Sequence, residues 1–425
     1  MLYAYAIRKV ISGIPAAALL ISLILIIPAA AQRQIRVLKP TVILISIDGF
    51  RADYLFKYQP KNLLNLARQG VHAQWMTPSF PTKTFPNHYT IATGLYPAKH
   101  GIVANNMFDP EFDAMFTLGK REEVQNPRWW GGEPIWVTAE KQGQRAAAYF
   151  FPGTETKING FQATFWREYD GETTNETRVD TVLEWFDLPG SERPTIFTMY
   201  FSDVDDAGHE FSPDSEGTKA AVLRVDEMIG RLVEGLKSRG IEKKVNLILV
   251  SDHGMAAVPQ NNSVVLDDYF DSGLAERVIW VSELVQIWPK EGKTSEIYEA
   301  IRSRLPRSVR VYRKEDLPAR FKWTDHRRIP PIVVIPDPGW IVVNRERFEE
   351  MKESGRLNDV RGSHGYDNLA PEMRALFIAS GPAFKKRTTI LPIRNIEIYN
   401  LMCSILGLDP APNDGDFENV KNILK

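Results

Sequence analysis

At 425 residues the chain is long enough for one large core with an insertion, or for two domains. Charged residues make up 25% and the formal net charge is −1, which argues against nucleic acid as a bulk ligand and against a disordered acidic chain. A single cysteine, Cys403, excludes a disulfide framework.

Arg8 and Lys9 precede an apolar run from Val10 to about Pro28, and Ala29-Ala30-Ala31 follows it. This order predicts an export signal over residues 1–31, and Gly13 and Pro15 favour cleavage over retention as a membrane anchor. The protein is therefore expected outside the cytoplasm, periplasmic or secreted, and tethered to a membrane only if the segment is kept. Thr41-Val42-Ile43-Leu44-Ile45-Ser46-Ile47 reads as a strand buried on both faces, ending at Asp48-Gly49. A helix running to Gln69-Gly70 completes a βα unit and predicts a parallel sheet.

In Pro81-Thr82-Lys83-Thr84-Phe85-Pro86-Asn87-His88, Pro86 suits a first helical turn and Gly94 a helix stop. Thr84 then lies at a helix mouth, where unpaired N–H groups favour an anion, although a Thr-x-Pro alone is more often a plain cap. Residues 97–106 read as a loop offering Asn105 as a donor to an anionic oxygen. Met107 to Trp130 shows no clear period and is expected to be irregular surface and cleft wall. A helix over Ile135 to Gly143 and a strand over Arg145 to Phe151 follow.

A second buried strand, Thr195 to Phe201, runs into Asp205 and His209, which are four residues apart. The helix carrying Val222, Val225, Ile229, Leu232, Val233 and Leu236 on one face, stopped by Gly240, reads as a crossover covering the sheet. The third buried strand, Val245 to Val250, ends at Ser251-Asp252-His253-Gly254. Three strands thus end in metal-ligand residue types, and sites in open α/β sheets are built at that edge. Residues 259–361 change to an α+β texture that reads as an inserted cap, with a strand over Val278 to Trp288. The main fold resumes at Gly362-Ser363-His364-Gly365-Tyr366-Asp367-Asn368, then a strand over Ala375 to Ala379 and a helix over Glu397 to Leu406. His209, His253 and His364 each lie near an Asp and beside or close to Gly, whereas His72, His88, His100 and His326 read as ordinary structural histidines.

In this order, Ser46-Ile47-Asp48-Gly49, Thr82-Lys83-Thr84-Phe85-Pro86-Asn87-His88, Asp205-x-x-x-His209, Asp252-His253-Gly254 and Gly362-Ser363-His364-Gly365-Tyr366-Asp367-Asn368 resemble the nucleotide pyrophosphatase/phosphodiesterase family of the alkaline phosphatase superfamily. The resemblance runs from about Thr41 to the C-terminal helix and implies a three-layer α/β/α core with a mostly parallel central sheet and the inserted cap. It implies two zinc ions, one held by Asp48, Thr84, Asp252 and His253 and the other by Asp205, His209 and His364. Thr84 would be the nucleophile, with Asn105 and the backbone N–H of Phe85 on a phosphoryl oxygen. The implied reaction is hydrolysis of a nucleotide phosphodiester or pyrophosphate through a phosphothreonine, releasing a nucleoside 5′-monophosphate. A small-molecule nucleotide is the expected partner and a monomer the expected state.

The chemistry agrees with the family. Asp and His together, with three imidazoles, favour zinc over magnesium. Zinc lowers the pKa of a bound water from about 15.7 to about 7, a larger lever than a general base offers a threonine hydroxyl. Phe85 and Tyr200 are candidate base-stacking aromatics. Cleavage of a choline-type lipid-headgroup diester, or of a phosphomonoester, is the alternative; a monoesterase is disfavoured because only Lys83 and Lys99 lie near Thr84 in sequence.

Overall fold

The computed structural model describes residues 34–425, so the expected export signal lies outside the described residues. Thr41–Ile47 forms a strand with no exposed residue, and its side chains alternate between two cores. Val42 and Leu44 join a cluster with the helix Ile398–Leu406 on one face, while Ile43, Ile45 and Ile47 join the cluster of the helix Glu216–Ser238 on the other. Helices on both faces are what a continuous β-branched run requires.

This strand pairs in parallel with Ile196–Phe201 on one side and Val245–Val250 on the other. They are central to an eight-stranded sheet ordered Thr388–Ile390, Val71–Ala73, Phe377–Ser380, Val245–Val250, Thr41–Ile47, Ile196–Phe201, Ala146–Tyr149, Phe165–Arg167. Phe377–Ser380 runs antiparallel to both of its neighbours; the remaining pairings are parallel. The core is thus the three-layer α/β/α arrangement with a mostly parallel sheet. Among the described residues, no helix is long and apolar enough to cross a membrane.

Between Pro259 and Val360 the chain builds a separate four-stranded sheet ordered Ala275–Ile279, Val285–Pro289, Ile332–Pro336, Val309–Arg313, with its own apolar cluster. The single strand expected over Val278 to Trp288 is instead a hairpin, in which Ile279 pairs with Gln286 across a turn. Arg328 ties this segment to the core. Its buried guanidinium donates to Asp109 at 2.6 Å and to the carbonyl oxygens of Gly101, Trp129 and Arg128. Phe321 stacks on Phe80 with ring centres 3.9 Å apart, and Trp323 Nε1 donates to the Val103 carbonyl.

Residues 107–130 are not irregular surface. They form a hairpin, Met107–Asp109 with Ala114–Phe116, and a short helix Arg121–Val124, and Trp129 and Trp130 are buried. The indole N–H groups of those two residues donate to Glu123 and to the Val124 carbonyl, which lets such large rings sit inside. The expected loop 97–106 opens with the helical turn Pro97–His100.

Candidate active site

Thr84 is the first residue of the helix Thr84–Thr93, preceded by Lys83, whose side chain does not cap it. Gly94 ends the helix at φ 69°, a left-handed conformation that glycine adopts without strain. Asn87 holds the approach to the helix by donating to the carbonyls of Pro81 and Lys83. Pro86 has no N–H, and the Phe85 N–H is occupied by Asn105 Oδ1 at 2.9 Å. The expected Phe85 N–H contact to a phosphoryl oxygen is therefore replaced: the Asn105 amide hydrogens and the Thr84 N–H are the donors left for an anion.

The strand ends bring the ligand candidates together as the sheet topology demands. Thr84 Oγ1 lies 3.4 Å from His253 Nε2. His253 Nε2 is 2.9 Å from Asp252 Oδ2 and 3.5 Å from Asp48 Oδ1. His209 Nε2 is 3.4 Å from Asp205 Oδ2, and His364 Nε2 is 3.7 Å from Asp205 Oδ1. The rings of His253 and His364 stack 3.6 Å apart, so His253 stands between the two sets, and its ligand atom also clusters with those of Asp205 and His364.

The donor set fits a pair of cations. All three histidines direct Nδ1 at a backbone carbonyl: His209 at Gly362, His253 at Gly254 and His364 at Thr82, each within 2.9 Å. Nδ1 must therefore carry the hydrogen, which leaves the Nε2 lone pairs pointing at carboxylates. Asp48 Oδ1, Asp205 Oδ1 and Asp252 Oδ2 are buried without a hydrogen-bond partner. Lone pairs 2.9 Å apart, as at His253 and Asp252, require positive charge between or beside them.

The crowded carboxylates and imidazoles shift one another. Burial and the Asp252 and Asp205 carboxylates push Asp48 well above the ordinary carboxylate range. Burial also favours the neutral form of Asp252, but the neighbouring imidazoles and the Gly49 N–H hold it at about 2. Burial, His253 and Lys83 drive His364 well below the usual imidazole range. Burial works against charge on His209 too, yet Asp205 lifts it to about 9.

Sequence reading passed over three residues. His88 is fully buried; Nδ1 meets the Thr84 carbonyl at 2.9 Å and Nε2 the Ser46 hydroxyl at 2.7 Å. It lies 3.4 Å from Asp252, but with both nitrogens committed it braces the helix rather than offering a lone pair to a metal. Glu283, from the inserted segment, accepts a hydrogen bond from Lys83 at 2.7 Å; Lys83 also donates to the His364 carbonyl. Tyr169 lies in a Glu-Tyr-Asp-Gly stretch with the composition of a turn, and no sequence signal marks it.

The site opens into a cavity of about 340 Å³ lined by Phe85, Asn105, Leu118, Tyr169 and Tyr200 among others. Tyr200 belongs to the floor: its hydroxyl donates to Asp48 Oδ2 at 2.6 Å, and its ring meets His88. Tyr169 is 40% exposed and presents the freer ring. Arg121 is the one Lys or Arg on the lining, and Glu155 and Glu168 both pair with it at 2.9 Å.

Residues 42–367 match the model of the family described as type I phosphodiesterase / nucleotide pyrophosphatase. An uncharacterized pyrophosphatase/phosphodiesterase of Schizosaccharomyces pombe is 44% identical over 399 residues, 90% of this chain and 80% of the relative. A venom phosphodiesterase of Crotalus durissus collilineatus is 41% identical across 90% of this chain, which spans only 46% of that longer protein. Murine ectonucleotide pyrophosphatase/phosphodiesterase 5, including an inactive threonine-to-alanine variant in complex with AMP, superposes with a TM-score of 0.84 at 35% identity, covering 91% of this chain and 100% of the other. With the strand-end carboxylates, the three imidazoles and the helix-mouth threonine in one cleft, and the match running through all of them, the chain belongs to the type I phosphodiesterase / nucleotide pyrophosphatase family and is a hydrolase.

Proposed function

We propose that the protein hydrolyses nucleotide phosphodiester or pyrophosphate bonds by covalent catalysis on Thr84, releasing a nucleoside 5′-monophosphate outside the cytoplasm. The observation that carries this reading is the Thr84 hydroxyl, at the mouth of its helix, beside His253 and within a cluster of unpartnered carboxylate oxygens. A purely structural metal site needs no hydroxyl at an open position. Asp48, Asp252, His253 and Thr84 would hold one zinc ion, and Asp205, His209 and His364 the other. Bound zinc supplies Lewis-acid stabilisation of oxygen anions and lowers the pKa of a coordinated hydroxyl.

In its ionised form Thr84 Oγ attacks phosphorus, the bond to the leaving-group oxygen breaks, and phosphothreonine forms. Asn105, held by the Phe85 N–H through its Oδ1, would offer its amide hydrogens, together with the Thr84 N–H, to the non-bridging oxygen where negative charge accumulates. Water then attacks the same phosphorus, breaks the P–Oγ bond and frees the monophosphate and Thr84. Phe85 and Tyr169 form the apolar platform for the base. Tyr200, assigned to that platform on sequence grounds, instead orients Asp48.

The lining also bears on the alternatives. Arg121 is already neutralised by Glu155 and Glu168, and Asp206 faces the same cavity, so among the described residues a monoester's extra charge meets no unpaired Lys or Arg there. The AMP complex of the murine relative supports a nucleotide over a choline diester. The test compares hydrolysis of a nucleotide nitrophenyl diester, nitrophenyl phosphorylcholine and nitrophenyl phosphate, with metal analysis of the same preparation. The nucleotide diester should be hydrolysed fastest, with about two zinc ions per chain. A preference for the choline ester, or full activity in excess chelator, would overturn the proposal.

A further inference from the structure

The edge of the sheet opposite the active site carries a second cavity, of about 580 Å³, whose floor is apolar and whose rim is basic. Leu236, Val245 and Leu247 form part of the floor, and Lys243, Lys385, Lys386 and Arg387 stand on the rim. Those four side chains are exposed, and among the described residues none has an ion-pair partner. Glu242 is the only acidic side chain on the lining. Nearby surface cations are neutralised in the ordinary way: Arg231 pairs with Asp180 and Arg239 with Asp187, each at 2.7 Å. A chain of net charge −1 therefore concentrates uncompensated positive charge on one face, an asymmetry that total composition conceals.

The described chain begins at this same face. Ile35 N–H donates to the Arg239 carbonyl, and Lys244, next to Lys243, donates to the carbonyls of Ile35 and Arg36. Arg36 and Lys39 are exposed there, and between them Val37 is 82% exposed, one of the most accessible large apolar side chains described.

We infer that this face, centred on Lys243, Lys385, Lys386 and Arg387, docks on a membrane surface bearing anionic phospholipid headgroups, with the catalytic cleft turned away from the bilayer. Each Lys or Arg near such a surface contributes about 1 kcal/mol, roughly fivefold in binding, and the attraction is screened within a Debye length. The apolar floor beneath a charged rim suits a headgroup with the first part of its acyl chains better than a free polyanion.

The test adds the purified protein to vesicles of phosphatidylcholine alone or with about one third phosphatidylglycerol. Amide hydrogen exchange is followed over residues 242–244 and 381–388. Exchange there should slow by at least about threefold in the phosphatidylglycerol vesicles at low salt, and the difference should vanish at about 0.5 M salt. The variant Lys385→Glu/Lys386→Glu/Arg387→Glu should lose the slowing while cleaving a soluble diester at the wild-type rate. The salt comparison on the wild type stands even if that variant folds poorly. Equal exchange in both vesicle types would overturn the inference. So would equal slowing by a single-stranded oligonucleotide in phosphatidylcholine vesicles, because the face would then bind polyanions generally. Neither result bears on catalysis by Thr84, which the hydrolysis assay tests separately.

Discussion

Lys83 Nζ lies 2.7 Å from Glu283 Oε2, with only 8% of either side chain exposed, so the residue before Thr84 is anchored to the inserted segment by a buried ion pair. Burial disfavours a charged Glu283, yet Lys83 and the Ser363 hydroxyl keep it below its ordinary range. The same ammonium binds the carbonyl of His364, so one side chain spans the Thr84 helix, the insert and the His364 loop.

Removing one partner of such a pair leaves an uncompensated buried charge. Glu283→Gln or Lys83→Met alone should cost about 3–5 kcal/mol of stability, and the double variant clearly less than the sum of the two. Urea unfolding of all four proteins measures the coupling. Strict additivity would mean that the pair is not a unit.

Thr84→Ala should abolish turnover while near-ultraviolet circular dichroism and metal content stay close to wild type, since the proposed carboxylate and imidazole ligands are intact. Thr84→Ser, which keeps a hydroxyl at the helix mouth, should retain measurable activity. A Thr84→Ala rate within a few-fold of wild type would mean that water attacks the substrate directly.

The two tyrosines should separate cleanly. Tyr169→Ala and Phe85→Ala should lower kcat/KM on a nucleotide diester by about 5- to 150-fold while sparing a small alkyl diester, because base stacking contributes about 1–3 kcal/mol. Tyr200→Phe removes the hydrogen bond to Asp48 and should weaken both substrates alike, with easier loss of zinc to a chelator. Nucleotide-selective loss in Tyr200→Phe would restore that residue to the platform.

His100 gives a pH signature remote from the metal ligands. Burial lowers it from 6.5 to about 3. Its ring is held neutral between Thr90 Oγ1 and the Ile102 N–H. The folded state thus refuses a proton that the unfolded chain accepts. The stability this gives is fully present above pH 6.5 and falls by up to about 1.4 kcal/mol per pH unit down to pH 3. The stability difference between wild type and His100→Gln should shrink as pH falls through that window. A pH-independent difference would show that the ring is not held neutral.

The three central strands and the Asp and His residues at their ends were legible because burial on both faces forces a β-branched run, against which a terminal Asp or His stands out. The hairpin from Ala275 to Pro289 was not, because its turn over Trp280 to Leu284 contains no Gly, Pro, Asn or Asp and the apolar pattern continues through it. Val71–Ala73 and Thr388–Ile390, the last two strands on one side of the sheet, are three residues each, too short to show a period. His88, Glu283 and Tyr169 act through partners far away in sequence: Ser46 is 42 residues from His88, and Lys83 is 200 from Glu283. Local pattern carries no trace of such pairings. His88 reads as one more helical histidine until Ser46 and Asp252 close around it.

Arg328 constrains how this architecture can change over evolutionary time. One guanidinium from the insert fills the acceptors of Asp109, Gly101, Trp129 and Arg128. Excising the segment would strand the Asp109 carboxylate, itself fully buried, and strip Phe80 of its stacking partner. Grafting in a foreign segment would face the same debt unless it brought its own arginine to that point. New specificities in this lineage should therefore arise by point changes along the cleft rim, such as Leu118 or Tyr169, rather than by exchange of whole modules.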